Sequence, residues 1–236
     1  MNPSDRLIVA LDVPTLGEAE GLVKTLSPVV QIFKIGKELF TAEGPRAVGM
    51  VRSHGGHVFL DLKFHDIPNT VASACGAAVK LGVWMLNVHA LGGRPMLEAA
   101  ARAVKKAAGE LKVQKPFLLG VTVLTSISEK DLQEVGIGEK VDAEVERLAR
   151  LAEACGLNGV VASPQEIENV REACGRDFQI VTPGVRPPWA ESSDQKRVMT
   201  PSAAIRLGAN FIVVGRPITK AKDPLQAAKK ILEEIS

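Results

Sequence analysis

Short apolar runs alternate with longer amphipathic stretches along the whole chain. The runs are rich in Val, Ile, Leu and Phe, which is typical of buried strands, whereas the longer stretches repeat apolar residues at helical spacing. Strands are predicted over residues 7–11, 32–35, 58–62, 85–88, 117–123, 159–162, 179–181 and 211–214. Helices are predicted over residues 15–26, 44–54, 70–81, 96–111, 142–155, 164–174, 202–207 and 224–234. This alternation predicts βα units rather than a sandwich or a helix bundle.

Eight βα units in 236 residues match the usual size of a (β/α)8 barrel, in which the strands close on themselves inside a ring of helices. The competing architecture is a doubly wound open sheet. It is disfavoured because no GxGxxG motif follows the first strand and no linker or change of composition divides the chain into halves. We therefore predict an α/β protein with a single (β/α)8 TIM barrel, which forms one domain over residues 1–236.

Charge and composition argue against nucleic acid as a partner. The 29 Lys and Arg residues nearly balance the 27 Asp and Glu residues, so the formal net charge is only +2, and the basic residues are scattered among acidic ones. Seven Phe, two Trp and no Tyr are too few aromatic residues for base-stacking platforms.

The chain also lacks the signals of a membrane or exported protein. No apolar run approaches the roughly 18 residues that span a bilayer, and the N-terminus has no basic region followed by a cleavage site. Cys75, Cys155 and Cys174 are odd in number and lack metal-ligand spacing, so we interpret them as buried packing residues. These observations predict a cytoplasmic protein with no membrane partner.

Charged residues close several of the predicted strands. Asp12 follows the first strand, Lys34 lies in the second, Asp61 and Lys63 end the third, and Asp66 comes shortly after. Strand ends of a barrel meet at its C-terminal mouth, where catalytic residues of this fold lie. Opposite charges must alternate there, because a buried unpaired ion costs several kcal/mol. The alternative interpretation is a salt-bridge network that only seals the barrel.

Strand geometry assigns these side chains to faces. Successive side chains alternate along a strand, so Asp61 and Lys63 share one face while Leu62 points the other way. By the same alternation, Asp12 shares a face with Ala10, and Lys34 shares a face with Ile32. We therefore expect one constellation of alternating charges at the mouth.

A phosphate site is predicted at the last two strands. Gly184 follows the seventh strand, and Gly215 and Arg216 follow the eighth, which are the loops where barrels most often hold phosphate. Arg186 directly precedes a polar loop over residues 187–196, and Gln195 lies within it. This loop interrupts the alternation of strands and helices and could cover a bound phosphate. The alternative is a pair of ordinary turn glycines beside a surface arginine and a solvated loop.

Metal chemistry is not required by this residue set. Each carboxylate at the mouth has a lysine that competes for it, so no metal site and no cofactor are predicted. His89 closes the fourth strand, but a lone histidine is more often a structural residue than a catalytic base.

Residues 61–70, DLKFHDIPNT, resemble the signature of the orotidine 5′-phosphate decarboxylase family, in which an Asp-x-Lys-x-x-Asp core ends the third barrel strand. The resemblance is to the bacterial branch and runs in register from the first strand to the last. Its other segments are residues 7–12 (LIVALD), 33–36 (FKIG), 88–90 (VHA), 124–126 (LTS), 182–187 (TPGVRP) and 214–217 (VGRP).

The resemblance implies decarboxylation of orotidine 5′-monophosphate to uridine 5′-monophosphate without a cofactor, the last step of pyrimidine nucleotide synthesis. It implies that Lys63 is the proton donor and that Asp61 faces the substrate carboxylate. Lys34 would bridge the charges and contact the ribose, while Asp12 would hold a ribose hydroxyl.

The resemblance also implies a homodimer. Asp66 and Thr70 would reach into the neighbouring subunit's site, so Asp66 joins Lys63, Asp61 and Lys34 in the catalytic set. Thr125 would contact the pyrimidine ring. The phosphate ligands would be Arg186, Gln195, Gly215 and Arg216.

Two other functions share part of this pattern. A magnesium-dependent sugar-phosphate decarboxylase or aldolase of the same superfamily has a similar Asp-x-Lys-x-x-Asp core, but the continuation over residues 67–70 favours the nucleotide enzyme. A non-catalytic barrel that binds a phosphorylated nucleotide would be expected to lose Lys63 or a carboxylate, and none is missing.

Overall fold

A computed structural model of the protein describes residues 2–190 and 199–236. Eight strands pair in parallel in chain order, and β1 also pairs with β8, so the sheet closes into a barrel. The strands are β1 (Leu7–Ala10), β2 (Ile32–Ile35), β3 (His57–Phe64), β4 (Met85–His89), β5 (Phe117–Val121), β6 (Gly159–Val161), β7 (Gln179–Thr182) and β8 (Phe211–Val214). The predicted (β/α)8 fold is confirmed.

Helices separate the strands and surround the barrel. They are α1 (Leu16–Leu26), α2 (Lys37–Glu43), α3 (Pro45–Ser53), α4 (Pro68–Lys80), α5 (Gly93–Leu111), α6 (Glu129–Glu134), α7 (Val141–Ala154), α8 (Ile167–Cys174), α9 (Pro201–Leu207), α10 (Arg216–Thr219) and α11 (Pro224–Glu234). Side-chain caps fix several helix starts: Thr15 accepts from the Glu18 N–H before α1, and Asp223 accepts from the Gln226 N–H before α11.

Three short helices were not predicted. They are α2, α6 and α10, of seven, six and four residues. Segments of this length complete at most about two turns and therefore give only a weak helical repeat of apolar residues. One of them has a local signal, because Ser128 and Asp131 form a reciprocal capping box at the start of α6.

Alternation of side chains along the strands produces two apolar cores. In β1, Ile8 and Ala10 point into the barrel, whereas Leu7 and Val9 pack against the helices. Phe59 lies inside the barrel on β3. At the N-terminal end, Trp84 packs edge-on against Phe117 and Phe211 with ring centroids 5.1 and 5.5 Å apart. These rings close that end, so the accessible mouth is the C-terminal one.

The three cysteines behave as predicted. Cys75, Cys155 and Cys174 are buried and form no disulfide. Burial raises the pKa of the Cys75 thiol to about 12 and, with smaller contributions from nearby charges, that of Cys174 to about 11, so both stay protonated at neutral pH. In the part of the chain that the structure describes, no helix is both long and apolar enough to cross a membrane.

Candidate active site

Four charged side chains form a continuous chain of ion pairs at the C-terminal mouth. Lys34 Nζ lies 2.8 Å from Asp12 Oδ1 and 3.5 Å from Asp61 Oδ2. Lys63 Nζ lies 2.6 Å from Asp61 Oδ1. The signs alternate from Asp12 through Lys34 and Asp61 to Lys63, so the predicted constellation is assembled within one chain and its formal charge sums to zero.

The first two strands deliver their charges as parity requires. Ala10 and Ile32 belong to the inner core, and Asp12 and Lys34, two positions further along, reach the mouth. Gly36 makes room for this pair, because a β-carbon at that position would lie 2.9 Å from Asp12 Oδ1 and 3.0 Å from Lys34 Nζ. A glycine after β2 is therefore part of the site, although sequence patterning did not single it out as a site residue.

The third strand departs from simple alternation. Its pairing with β4 shifts register between Leu60 and Phe64, and Lys63 has a φ of 52°. A left-handed backbone is uncommon for a residue with a side chain. Asp61 and Lys63 do face the same cavity, as predicted, but a bulge rather than regular strand geometry brings them together.

Asp61 is the buried centre of the charge chain. It is only 9% exposed, and burial by itself raises the pKa of its carboxyl group. The charges of Lys34 and Lys63 and the hydrogen bonds from Lys63 and Asn87 outweigh burial, so the pKa of Asp61 lies below its ordinary value. Asp61 is consequently ionised at neutral pH and can hold Lys63 in place as its counter-ion.

Two cavities meet at this charge chain. The first, of about 240 Å³, has apolar walls that include Phe59 and Val121, together with the hydroxyls of Thr125, Ser126 and Ser163. The second, of about 390 Å³, is lined by Asp12, Gly184, Arg186, Gly215, Arg216 and Lys220. Lys34, Asp61 and Lys63 line both. The mouth therefore offers an apolar compartment with hydroxyl groups beside a cationic one.

Three of the four predicted phosphate ligands line the cationic compartment. Arg186, Gly215 and Arg216 line it, and the Arg186 N–H donates to the carbonyl oxygen of Met199 at 2.9 Å, which fixes the backbone at the loop entrance. Gln195 lies outside the described residues. Lys220, which was not predicted, adds another cation beside Arg186 and Arg216. It could have been noticed because it lies four residues after Arg216, one helical turn along the chain.

Asp66 and Thr70 lie apart from this cluster. Both are exposed, and Asp66 Oδ1 accepts the neighbouring Ile67 N–H at 2.6 Å. Across residues 2–190 and 199–236, no ion pair joins Asp66 to Lys63 of the same chain. The large apolar side chain of Ile67, next to Asp66 in the chain, is 66% exposed.

His89 does not line either mouth cavity. Its ring stacks on His65 with centroids 5.4 Å apart. Burial, assisted by the charges of His65 and Lys63, lowers the pKa of His89 to about 4, so the ring is neutral at physiological pH. His89 therefore adds no positive charge to the site at neutral pH.

Besides Lys220, two further polar residues at or near the mouth were missed by sequence reasoning. Ser163 follows β6 and is 1% exposed, and the rule that polar residues close barrel strands, applied to this strand, would have found it. Asn87 is fully buried inside β4 and contacts both Asp61 and Lys63. The signal for Asn87 is one polar residue inside an apolar strand.

A metal-binding cluster is not formed by the described side chains: no group of three or more His, Cys, Asp or Glu residues is arranged to hold an ion. In the charge chain, Lys34 lies beside Asp12 and Lys63 lies beside Asp61.

The fold and this lysine–aspartate mouth define a (β/α)8 barrel with a charged C-terminal site, and comparison with known proteins makes the class specific. Residues 5–231 match the family described as "Orotidine 5′-phosphate decarboxylase / HUMPS family". The chain therefore belongs to this family.

Individual relatives agree over the full length. The chain is 57% identical over 236 residues to an orotidine 5′-phosphate decarboxylase of Moorella thermoacetica, covering 100% of this chain and 94% of that protein. It is 58% identical over 233 residues to one of Syntrophotalea carbinolica, covering 98% and 95%. The crystal structure of orotidine 5′-phosphate decarboxylase from Lactobacillus acidophilus superposes with a TM-score of 0.86 at 39% identity, covering 98% of this chain and all of that one.

Proposed function

We propose that this protein is an orotidine 5′-phosphate decarboxylase, a carboxy-lyase that converts orotidine 5′-monophosphate to uridine 5′-monophosphate and CO2 in pyrimidine nucleotide synthesis. The observation that carries the proposal is Lys63, whose ammonium group lies 2.6 Å from Asp61 where the two mouth cavities meet. Full-length relatives that carry this activity in their names support the same substrate.

Lys63 supplies the chemistry that the reaction needs. Loss of CO2 from C6 of the pyrimidine leaves a carbanion that no adjacent carbonyl can delocalise as an enolate, so a fixed cation is the available stabiliser. The ammonium group of Lys63 is such a cation, and it then delivers the proton that completes the product. Asp61, 2.6 Å from this ammonium group, holds it in position as its counter-ion.

The remaining residues bind and orient the nucleotide. Lys34 and Asp12 hold the ribose hydroxyls, and Thr125 contacts the pyrimidine ring in the apolar compartment. Arg186 and Arg216 bind the phosphate with Gly215, in the cationic compartment. Gln195 completes the phosphate contacts in this proposal. The layout, with phosphate ligands on one side of Lys63 and hydroxyl groups on the other, supports this orientation.

The active form in this proposal is a homodimer in the cytoplasm. Asp66 and Thr70 act in the partner's site, next to its Lys63. The support is that Asp66 lies outside the charge chain of its own subunit and that Ile67 and Leu91, exposed by 66% and 41%, follow the stacked His65 and His89. A second copy would cover these apolar side chains.

We expect decarboxylation to survive the removal of metal ions, because Lys34 and Lys63 supply the positive charge that a divalent cation would otherwise provide. The test is to follow conversion of orotidine 5′-monophosphate by purified, EDTA-dialysed protein. The expected rate equals that of the untreated protein, and added magnesium leaves it unchanged. Loss of turnover in EDTA that magnesium restores would instead favour a sugar-phosphate enzyme of this superfamily.

Replacing Arg216 by Ala should lower kcat/KM by about 100-fold or more, although Arg216 acts on the phosphate and not on C6. Binding energy from the phosphate is used to align the ring, so its loss reaches the transition state. The measurement compares kcat/KM on the nucleotide with kcat/KM on the free nucleoside. Arg206→Ala, an exposed arginine on α9, is the matched control. Equal damage on both substrates would show that Arg216 is not the phosphate ligand.

A further inference from the structure

Asn87 occupies a fully buried position in β4 and makes two directed hydrogen bonds to the catalytic strand. Its Oδ1 accepts the backbone N–H of Lys63 at 2.8 Å, and its Nδ2 donates to Asp61 Oδ1 at 2.7 Å. Of the two polar atoms of an asparagine side chain, the oxygen accepts hydrogen bonds and the nitrogen donates them. The two neighbours therefore define the orientation of this amide.

The first of these bonds closes the bulge of β3. Between the paired positions Leu60↔Leu86 and Phe64↔Val88, β3 advances four residues while β4 advances two, and Asn87 is the one residue of β4 opposite the widened part. In this widened part, the Lys63 N–H donates to the side chain of Asn87. The bond thus supports the left-handed backbone of Lys63, whose φ is 52°.

The second bond orients the buried carboxylate. Asp61 Oδ1 accepts from Asn87 Nδ2 and also from Lys63 Nζ at 2.6 Å, while Asp61 Oδ2 lies 3.5 Å from Lys34 Nζ. With one oxygen held by Asn87, the carboxylate cannot rotate without breaking a buried hydrogen bond. The same side chain therefore contacts both the backbone of Lys63 and the counter-ion of its ammonium group.

We infer that Asn87 is a positioning residue for the decarboxylation: it holds the Lys63 backbone and the Asp61 carboxylate in the arrangement that aims the Lys63 ammonium group at the reacting carbon. This inference rests on the proposed function. Asn87 lines neither mouth cavity, so it acts through Asp61 and Lys63 and not on the substrate.

The first test is Asn87→Ala. We expect kcat on orotidine 5′-monophosphate to fall about 100-fold, because misplacing a catalytic group by about 1 Å costs that much, while KM and the Kd for uridine 5′-monophosphate stay within about threefold. The control is Asn158→Ala, which removes a comparable bond from an asparagine Oδ1 to the Leu118 N–H, at the opposite end of the barrel. That control should keep the wild-type kcat. A kcat within threefold of wild type for Asn87→Ala would overturn the inference.

The second test is Asn87→Asp, which preserves shape and also decides the question if the alanine variant does not fold. At neutral pH the introduced carboxylate faces Asp61 and repels it, so the pair titrates with a raised pKa. Protonation returns a hydrogen-bond donor to Asp61. The ratio of variant to wild-type kcat should then rise as pH falls, by up to about tenfold per pH unit for a single proton. A ratio independent of pH would indicate a purely structural role and overturn the inference.

The wild-type assay separates this inference from the function on which it rests. If the unmodified protein fails to convert orotidine 5′-monophosphate, the proposed function is wrong. If the unmodified protein is active and the Asn87 variants match it, the function stands and only the positioning role of Asn87 is wrong.

Discussion

Replacing Lys63 by Ala is expected to abolish decarboxylation while nucleotide binding persists. In the proposed mechanism this side chain stabilises the carbanion, which contributes about 10²–10³-fold to the rate, and delivers the proton, which contributes about 10²–10⁴-fold. Loss of both should lower kcat/KM by at least about 10⁴-fold. Uridine 5′-monophosphate should still bind, because Arg186 and Arg216 belong to other loops. Steady-state kinetics on orotidine 5′-monophosphate and calorimetric titration with the product measure the two quantities.

The specificity of this effect can be tested with a transition-state mimic. A nucleotide with an anionic oxygen at C6 resembles the developing carbanion, so it should bind wild-type protein tightly and lose far more affinity than the product does on Lys63→Ala. Lys115→Ala, in the loop before β5 at the opposite end of the barrel, should change neither affinity. A Lys63→Ala variant that retains a tenth of the wild-type activity would refute the proton-donor role.

The sequence was sufficient for the barrel and for the first two charges of the site because both follow from periodicity. The parity that buries Ala10 and Ile32 inside the barrel also carries Asp12 and Lys34 to the mouth. A fold that repeats one βα unit can be predicted from sequence, because the residues that end each strand all lie at the same mouth of the barrel.

The third strand shows where periodicity is insufficient. At its bulge, the Lys63 N–H donates a hydrogen bond to Asn87, which is 24 residues away in the chain and lies on the neighbouring strand. No local pattern encodes a bond between separate strands. The same limit applies to Gly36, whose missing side chain matters only because Asp12 and Lys34 converge on it from different strands.

The proposed role of Asp66 differs from that of the other site residues, because in this proposal Asp66 acts on a second copy of the chain. Within one subunit Asp66 is exposed and accepts a hydrogen bond from the N–H of its own neighbour, Ile67, so the isolated barrel does not test the role proposed for it. In the proposed homodimer, Asp66 acts beside Lys63 of the partner subunit.

Mixed dimers test this arrangement directly. Lys63→Ala and Asp66→Asn are each expected to be inactive alone. In a dimer with one chain of each kind, one site carries both substitutions, and the other combines Lys63 of the Asp66→Asn chain with Asp66 of the Lys63→Ala chain. With random reassortment by co-refolding, about half the dimers are mixed, and activity should recover to about a quarter of the wild-type value per protomer for independent sites.

The matched control places both substitutions on one chain and mixes it with wild-type protein in equal amounts. If Asp66 acts across the interface, mixed dimers contain no native site, so activity comes only from wild-type dimers and is about a quarter of the wild-type value per protomer. If Asp66 acts within its own subunit, every wild-type chain keeps a complete site and the value is about half. The cross-subunit assignment therefore requires recovery in the first mixture and loss below one half in the second. Single-variant heterodimers that remain as inactive as their parents would show that Asp66 serves its own chain.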